Sequence, residues 1–109
     1  MPRIVLAEKT PFSLHALQGY GTIVYIADYI NPLRVDETVE QIVAFLEKDF
    51  NPEEDFICLT GKVITVSLLL SAAVYKFHSV KALIFDAGAS NYKERLIDVR
   101  GCRISKEAV

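Results

Sequence analysis

Residues Phe56–Asp86 read FICLTGKVITVSLLLSAAVYKFHSVKALIFD, and this stretch decides the fold of the chain. Two short continuous apolar runs within it, Phe56–Leu59 and Ala82–Phe85, are typical of parallel strands that are covered on both faces. The segment between them, Val63–Phe77, has no polar stripe and predicts a helix. A strand, a helix and a second strand predict a βαβ unit, in which the first strand passes into the helix through Thr60-Gly61-Lys62.

Two further strands and a second helix are predicted upstream of this unit. Arg3–Ala7 is a short apolar run and Thr22–Asp28 is rich in β-branched and aromatic residues, so both predict strands. A long loop, Glu8–Gly21, separates them. Asp36 is the expected N-cap of a helix that covers the outside of the sheet. The apolar stripe of that helix consists of Val39, Ile42, Val43, Leu46 and Phe50.

Downstream of the βαβ unit, Tyr92–Val99 predicts a charged edge strand, and residues 100–109 predict a polar C-terminal tail. The expected element order is therefore β-β-α-β-α-β-β. Two helical crossovers predict an α/β fold with right-handed connections. We expect one compact Rossmann-like domain over residues 1–109, with a mainly parallel sheet of about five strands and an antiparallel strand at one edge.

The composition predicts a homodimer. Of the 109 residues, 51% are hydrophobic, and the mean hydropathy is +0.26. A small monomer cannot bury that much apolar surface, so we expect the helix 63–77 to be buried nearly all round, with one side on the sheet and the other on a partner subunit. The net charge of −2 argues against a general electrostatic grip on duplex DNA or RNA.

The sequence also predicts a cytoplasmic protein with no membrane partner. The apolar segment Val63–Tyr75, between Lys62 and Lys76, is shorter than the ~18 apolar residues that a membrane span needs. Met1 leads directly into a strand-like run, which does not resemble a signal peptide. The two cysteines, Cys58 and Cys102, do not suggest a disulfide framework, and Cys58 is expected to be a buried free thiol.

The candidate site residues follow the strands of the predicted sheet. Ligands of parallel α/β sheets bind beyond the carboxyl ends of the strands, so we expect these residues to converge on one edge. They are Glu8, Lys9, Thr10, Ser13 and His15 after the first strand, Thr60, Gly61 and Lys62 after the central strand, and Asp86 after the next strand. His78 precedes a strand and is expected at the opposite edge.

The Thr60-Gly61-Lys62 turn has two interpretations. A cation at a helix N-terminus is unfavourable for the helix dipole, so Lys62 indicates an anionic neighbour such as a phosphate. Alternatively, Gly61 only makes a tight turn and Lys62 is a solvated residue of the first helical turn. The sequence has neither the complete P-loop motif nor G-x-G-x-x-G, so no dinucleotide cofactor is expected.

The histidines and the acidic and edge residues also have two interpretations each. His15 is equally an acid–base group or an ordinary loop residue, whereas His78 is better explained as a residue that complements a helix C-terminus. Asp86 is better explained as a turn former than as a ligand, because Gly88 follows two residues later. The edge-strand residues Tyr92, Lys93 and Arg95 fit edge protection better than a ligand cleft. With few histidines and cysteines and no clustered carboxylates, no metal site is expected.

The run LTGKVITVSLLLSAAVYKF, followed by a strand that ends at Asp86, resembles the ligand-binding half of CRISPR-associated Rossmann-fold (CARF) domains. It is also similar to small stand-alone ring nucleases and, more loosely, to short α/β proteins of viruses and plasmids. Those families place a Thr/Ser-Gly turn and a nearby Lys or Arg before an apolar helix at a dimer interface. The resemblance covers about residues 56–86. CARF domains tend to carry a second glycine where this chain has Lys62.

This resemblance implies a ligand and a reaction. The ligand would be a cyclic oligoadenylate, a two-fold symmetric RNA ring bound across the dimer. A ribose 2′-OH would attack the adjacent phosphodiester without a metal ion, as in a viral or plasmid anti-CRISPR protein or a type III CRISPR regulator. Lys62 and the N–H groups after Gly61 would stabilise charge, His15 would be the general acid or base, and Thr10 and Ser13 would orient the hydroxyl. The alternatives are a non-catalytic homodimeric interaction protein of a mobile element, such as a sponge, and a binder of small phosphates.

Overall fold

The computed structural model of the chain describes residues 2–10, 15–17 and 19–100. Within these residues, five strands and two long helices follow one another in the predicted order. The elements are β1 (Arg3–Glu8), β2 (Thr22–Ala27), α1 (Val35–Lys48), β3 (Phe56–Cys58), α2 (Val63–Phe77), β4 (Ser79–Asp86) and β5 (Asn91–Asp98), with a short 3₁₀ helix at His15–Leu17 between β1 and β2. Ser13, Cys102 and the predicted tail beyond Arg100 lie outside the described residues.

The five strands form one mixed sheet in the order β2-β1-β3-β4-β5. β1 pairs in parallel with both β2 and β3, and β3 pairs in parallel with β4. β5 pairs antiparallel with β4 over the whole length of both strands, from Ser79–Asp98 to Asp86–Asn91. The expectation of a mainly parallel sheet is therefore wrong. The physical reason is the short turn after Asp86, which allows only an antiparallel return, and which makes this hairpin the longest pairing of the sheet.

Two apolar cores lie on the two faces of the sheet, because successive strand side chains point to opposite sides. Val5 and Ile57 belong to the core under α1 and α2, which we call the helix face. Ile4 and Cys58 belong to the other core, the loop face, which is covered by Leu17 of the 3₁₀ helix and by Tyr92 of β5. Both helices therefore cover the same side of the sheet.

The connections change direction between β1 and β3. The chain leaves β1 toward β2 over the loop face, whereas it leaves β3 toward β4 through α2 on the helix face. Adjacent strands whose connections run in opposite directions form a topological switch point, which is where open α/β sheets bind ligands. The fold thus places the carboxyl ends of β1 and β3 at such a point.

The predicted element boundaries are correct for α2 and are displaced elsewhere. α1 begins at Val35, so the prediction of Asp36 as its N-cap is wrong: Asp36 lies in the first turn, where a carboxylate still suits the helix dipole. The N-cap is Arg34, whose carbonyl accepts hydrogen bonds from the N–H and the hydroxyl of Thr38. β4 begins at Ser79, earlier than predicted, because it pairs with β5 from there.

The expectation that α2 is buried nearly all round, with its second side on a partner subunit, stays a prediction, because the single chain covers only one side of the helix. Its buried residues are Thr65, Leu69 and Ala73. Val63 and Tyr75 are 83% and 86% exposed. The reason is that α2 packs on the sheet and on α1, which leaves one side without a neighbour in the described residues. We call this side the outer face of α2; it consists of Val63, Ile64, Ser67, Ser71 and Tyr75. No helix within the described residues combines the length and the apolar character needed to cross a membrane.

Candidate functional site

The switch point brings together the last residue of β1 and the turn after β3. Glu8 ends β1, and the Thr60-Gly61-Lys62 turn leads from β3 into α2. Gly61 has φ +137°, a backbone conformation that favours glycine, although a Cβ at this position would find ordinary van der Waals space. The glycine is therefore needed for the direction of the chain at the turn, as expected from the sequence.

The Lys62 ammonium is held against Glu8. Its Nζ lies 3.3 Å from Glu8 Oε1 and 3.4 Å from Oε2, and it also donates to the carbonyl of Ile30 at 3.2 Å. The ring of Tyr29 lies beneath the same ammonium, with 4.4 Å between Nζ and the ring centroid. Glu8 Oε2 accepts a further hydrogen bond from the Ile30 N–H at 2.8 Å. The anionic neighbour that Lys62 indicates is thus a carboxylate of the chain itself.

Exposure differs between the two members of this ion pair. The Glu8 side chain is 8% exposed, whereas the Lys62 side chain is 42% exposed. A buried carboxylate needs a partner, and here it has both a cation and a backbone donor. Glu8 is therefore the buried member of the pair, and Lys62 is the member whose side chain reaches the surface.

The N-terminus of α2 lies directly beside this pair. Lys62 is the N-cap residue, and within the described residues no side chain caps the first turn. The Lys62 carbonyl accepts hydrogen bonds from the Val66 N–H and from the Thr65 hydroxyl. The N–H groups of Val63 and Ile64 precede the first intrahelical hydrogen bond, so the helix itself offers them no acceptor. The arrangement therefore presents an ammonium and helical N–H donors together, which is a chemistry suited to an anion.

Thr60 contacts Tyr92, which belongs to the core on the loop face of the sheet. Its Oγ1 lies 2.7 Å from the hydroxyl of Tyr92, and the carbonyl of Tyr92 accepts a hydrogen bond from the Tyr20 hydroxyl at 3.0 Å. Burial raises the pKa of Tyr92, and it likewise raises the pKa of the Cys58 thiol, which lies in the same core. Thr60 thus contacts Tyr92 of β5, whereas Lys62 contacts Glu8 of β1.

Tyr92 lies beside this turn, although the sequence favoured edge protection over a ligand cleft for it. It is only 6% exposed, and its ring contacts that of Phe85, its partner in the β4–β5 register, with 5.3 Å between the centroids. The prediction of Tyr92 as edge protection is therefore wrong, whereas Lys93 and Arg95 do lie on the edge strand. Strand alternation from a known register of β5 would have placed Tyr92 on the loop face, but the sequence does not fix that register.

The Asp86 carboxylate accepts hydrogen bonds within the turn between β4 and β5. Its Oδ1 accepts hydrogen bonds from the N–H groups of Gly88 and Ala89, at 3.0 and 3.3 Å. The interpretation of Asp86 as a turn former is confirmed. Its carboxylate stands at the end of β4, beyond β3 from Glu8, and does not join the ion pair.

The remaining candidates within the described residues are Lys9, Thr10, His15 and His78. Lys9 follows β1 and its N–H donates to the carbonyl of Ala27, and Thr10 comes next along the chain. His15 is the exposed first residue of the 3₁₀ helix on the loop face. His78 is the C-cap residue of α2 at the opposite edge of the sheet, as expected.

No three histidine, cysteine, aspartate or glutamate side chains among the described residues are grouped so that they could hold a metal ion. The chemistry that this edge of the sheet offers is therefore that of Lys62, Glu8 and the first N–H groups of α2. Comparison of the chain with protein-family models, with curated proteins and with solved structures finds no match, so the case for a function rests on this geometry.

Proposed function

We propose that the chain binds a small phosphate-bearing ligand at the switch-point site, which we define as Glu8, Tyr29, Lys62 and the N–H groups of Val63 and Ile64. One observation supports this most: the ammonium of a half-exposed lysine side chain stands at the N-terminus of a 15-residue helix, at the topological switch point of the sheet. A helix N-terminus carries about half a positive charge, and a phosphate there accepts hydrogen bonds from the N–H groups directly.

The Glu8–Lys62 pair has a definite role in this proposal. Glu8 holds the ammonium beside the helix N-terminus, so little conformational entropy is lost when an anion binds. The Glu8 carboxylate is buried, so an incoming phosphate oxygen would approach the pair from the side of Lys62, the exposed member. The Glu8–Lys62 pair has no net charge, so the net electrostatic attraction for a phosphate comes from the N-terminus of α2.

The ligand class that we propose is a cyclic oligoadenylate, as the resemblance of residues 56–86 implies. Tyr29 is 69% exposed and lies against the Lys62 ammonium, so its ring offers a stacking surface for an adenine beside the phosphate position. Ring opening is the second step of the proposal. The ribose 2′-OH attacks the adjacent phosphorus, the 5′ oxygen leaves, and a 2′,3′-cyclic phosphate forms, with Lys62 stabilising the charge and His15 transferring the proton.

The test is a binding and cleavage assay with radiolabelled cyclic tetra- and hexa-adenylate in excess chelator. Lys62→Gln alone would leave the buried Glu8 without its cation, so the informative variant is the double change Glu8→Gln with Lys62→Gln. Lys48→Gln, on the exposed last turn of α1, is the matched control. We expect the double variant to lose at least tenfold in affinity and the control to bind like the wild type.

The results of this assay test binding, cleavage and the role of His15 separately. Neither binding nor linearisation of any ring size by the wild type overturns it. Binding without linearisation leaves a non-cleaving sponge and removes the proposed role of His15. If cleavage occurs and is unaffected by His15→Ala, the acid–base assignment is wrong while the activity stands.

A second candidate function is a non-catalytic homodimeric interaction protein that associates through the outer face of α2. The observation that favours it is the exposure of Val63 and Tyr75 on one helical side. A dimer formed there would also bring the two switch-point sites close together, because Val63 belongs to both surfaces. Tyr75→Lys is expected to dissociate such a dimer in sedimentation experiments, whereas an unchanged sedimentation coefficient excludes this face.

A further inference from the structure

The two edge strands of the sheet differ in how they are protected against pairing. β5 carries Lys93, Glu94, Arg95 and Asp98, which is the usual protection of an edge by charge. β2, at the other edge, reads TIVYIA and has no charged residue and no proline. Its residues after Thr22 are all partly exposed. An unprotected apolar edge of this kind is a template for another strand.

The backbone of β2 has hydrogen-bonding groups that point away from the sheet. Thr22 donates its N–H to the carbonyl of Pro2 at 3.1 Å, so Thr22 bonds toward β1. In a parallel ladder the residues alternate, so Val24 also bonds toward β1, while the N–H and C=O groups of Ile23 and Tyr25 point outward. Among the described strands, β1 is the one that pairs with β2.

We propose that β2 pairs antiparallel with β2 of a second copy of this chain across a two-fold axis. The outward-pointing N–H and C=O groups of Ile23 and Tyr25 determine the register of this strand pair. Ile23 pairs with Tyr25 of the second copy, and each of these residues both donates and accepts a hydrogen bond. Val24 then meets Val24 of the second copy on the axis. The two five-stranded sheets join into one continuous sheet, and the interface is isologous.

Charge selects β2 over β5 as the pairing edge. In the β2 register no charged residue faces another, and the Ile23–Tyr25 pairs combine a β-branched with an aromatic side chain, which is a favourable cross-strand pair. The same two-fold pairing of β5 opposes like charges: centred on Glu94, it places Glu94 against its own copy and Lys93 against Arg95. Centred on Arg95, it places two guanidinium groups together. Like charges directly opposite are destabilising, so these registers of β5 are less favourable than the β2 register.

Val24 is the position at which this interface is tested. Its side chain belongs to neither apolar core, so its replacement removes no core packing. Val24→Lys places two ammonium groups against each other on the axis. Leu96→Lys, at a position that is 68% exposed on the charged edge strand β5, is the matched control. Sedimentation velocity at about 100 μM compares these variants with the wild type, whose chain mass is 12.2 kDa.

We expect the wild type and Leu96→Lys to sediment at twice the chain mass, and Val24→Lys to dissociate with a dissociation constant raised at least tenfold. A second measurement does not depend on the lysine variant being folded. In a Cys102→Ser background, Val24→Cys is expected to form an intermolecular disulfide under mild oxidation. Non-hydrogen-bonded antiparallel partners have Cα atoms about 4.5 Å apart, which is within the range of a disulfide. Leu96→Cys is expected to remain uncrosslinked.

Two results overturn the proposal. One is a wild type that stays monomeric at this concentration. The other is a dimer that survives Val24→Lys, fails to crosslink through Val24→Cys and dissociates with Tyr75→Lys, which would assign the interface to the outer face of α2. Ligand binding at the switch-point site is measured separately and is decided by its own variants.

Discussion

Lys62 and Glu8 form an ion pair between the turn after β3 and the end of β1, with 3.3 Å between Nζ and Oε1. The Glu8 side chain is buried and the Lys62 side chain is half exposed, so the two partners are not equivalent. Through the hydrogen bonds that both partners make to Ile30, the pair also fixes the segment after β2. It therefore joins three segments of the chain at the carboxyl edge of the sheet, whether or not a ligand is bound.

Removal of the cation is expected to cost more than removal of the carboxylate charge. Lys62→Gln leaves a buried carboxylate with a backbone donor alone, and we expect a loss of about 1–3 kcal/mol in the free energy of unfolding. Glu8→Gln keeps an acceptor for the Ile30 N–H and leaves an ammonium that water can reach, so its expected cost is below about 1.5 kcal/mol. Urea unfolding of both variants, with Lys48→Gln as the control, measures the difference. Equal losses would show that the carboxylate does not depend on Lys62.

A pH dependence is expected from Asp55, which links the amino ends of β1 and β3. Burial by itself raises the pKa of Asp55, but hydrogen bonds from the Asn51 N–H and from the N–H and guanidinium of Arg3 outweigh it and lower the pKa. A carboxyl whose pKa is lower in the folded state stabilises the fold fully above its unfolded pKa, near 3.8. This contribution is lost as the pH falls below that value through the folded pKa.

The measurement is the free energy of unfolding between pH 7 and pH 2.5 for the wild type and for Asp55→Asn. We expect the free energy of unfolding of Asp55→Asn to be about 1–3 kcal/mol lower at pH 7, because hydrogen bonds to a charged group are lost. We also expect it to depend less on pH at acidic pH than that of the wild type. Asp36→Asn, on the exposed first turn of α1, is the control. If the free energy of unfolding falls equally steeply with decreasing pH in the wild type and in Asp55→Asn, Asp55 is excluded as the source of the acid sensitivity.

The fold was predictable where local patterns decide it. The mainly apolar segment after Lys62, which has no polar stripe, predicted α2 from Val63 to Phe77, and the two apolar runs beside it predicted buried parallel strands. The burial of α2 was not predictable in the same way. An apolar helix can be covered by its own chain or by another molecule, and composition does not distinguish the two.

The candidate site was predictable only in part, because its contacts depend on segments far apart in the sequence. Strand-end rules placed Lys62 and Glu8 at the same edge. The hydrogen bonds of both to Ile30 depend on the path of the chain after β2, which carries no motif. The burial of Tyr92 depends on the register of β5, and a one-residue shift of register would have turned its side chain to the other face.

His78 is expected to be replaceable by glycine with a gain in stability. It ends α2 with φ +70°, a conformation that is strained for a residue with a Cβ. His78→Gly relieves this strain, and we expect the free energy of unfolding to rise by about 1 kcal/mol. His78→Ala is the matched control, since it removes the imidazole and keeps the Cβ. A gain of the same size in the alanine variant would assign the effect to the imidazole and not to the backbone.

The Thr60–Tyr92 hydroxyl pair is expected to couple β5 to the turn that leads into α2. The two oxygens lie 2.7 Å apart and Tyr92 is buried, so removal of one hydroxyl leaves the other with the Cys58 thiol, a weaker hydrogen-bonding group, as its neighbour. We expect Tyr92→Phe and Thr60→Val each to cost about 1–2 kcal/mol, and the double variant to cost less than the two together by about 0.5–1.5 kcal/mol. Urea unfolding of the four proteins in this cycle measures the coupling. Strictly additive losses would mean that the two hydroxyls stabilise the fold independently, and that β5 does not support the turn at the switch-point site.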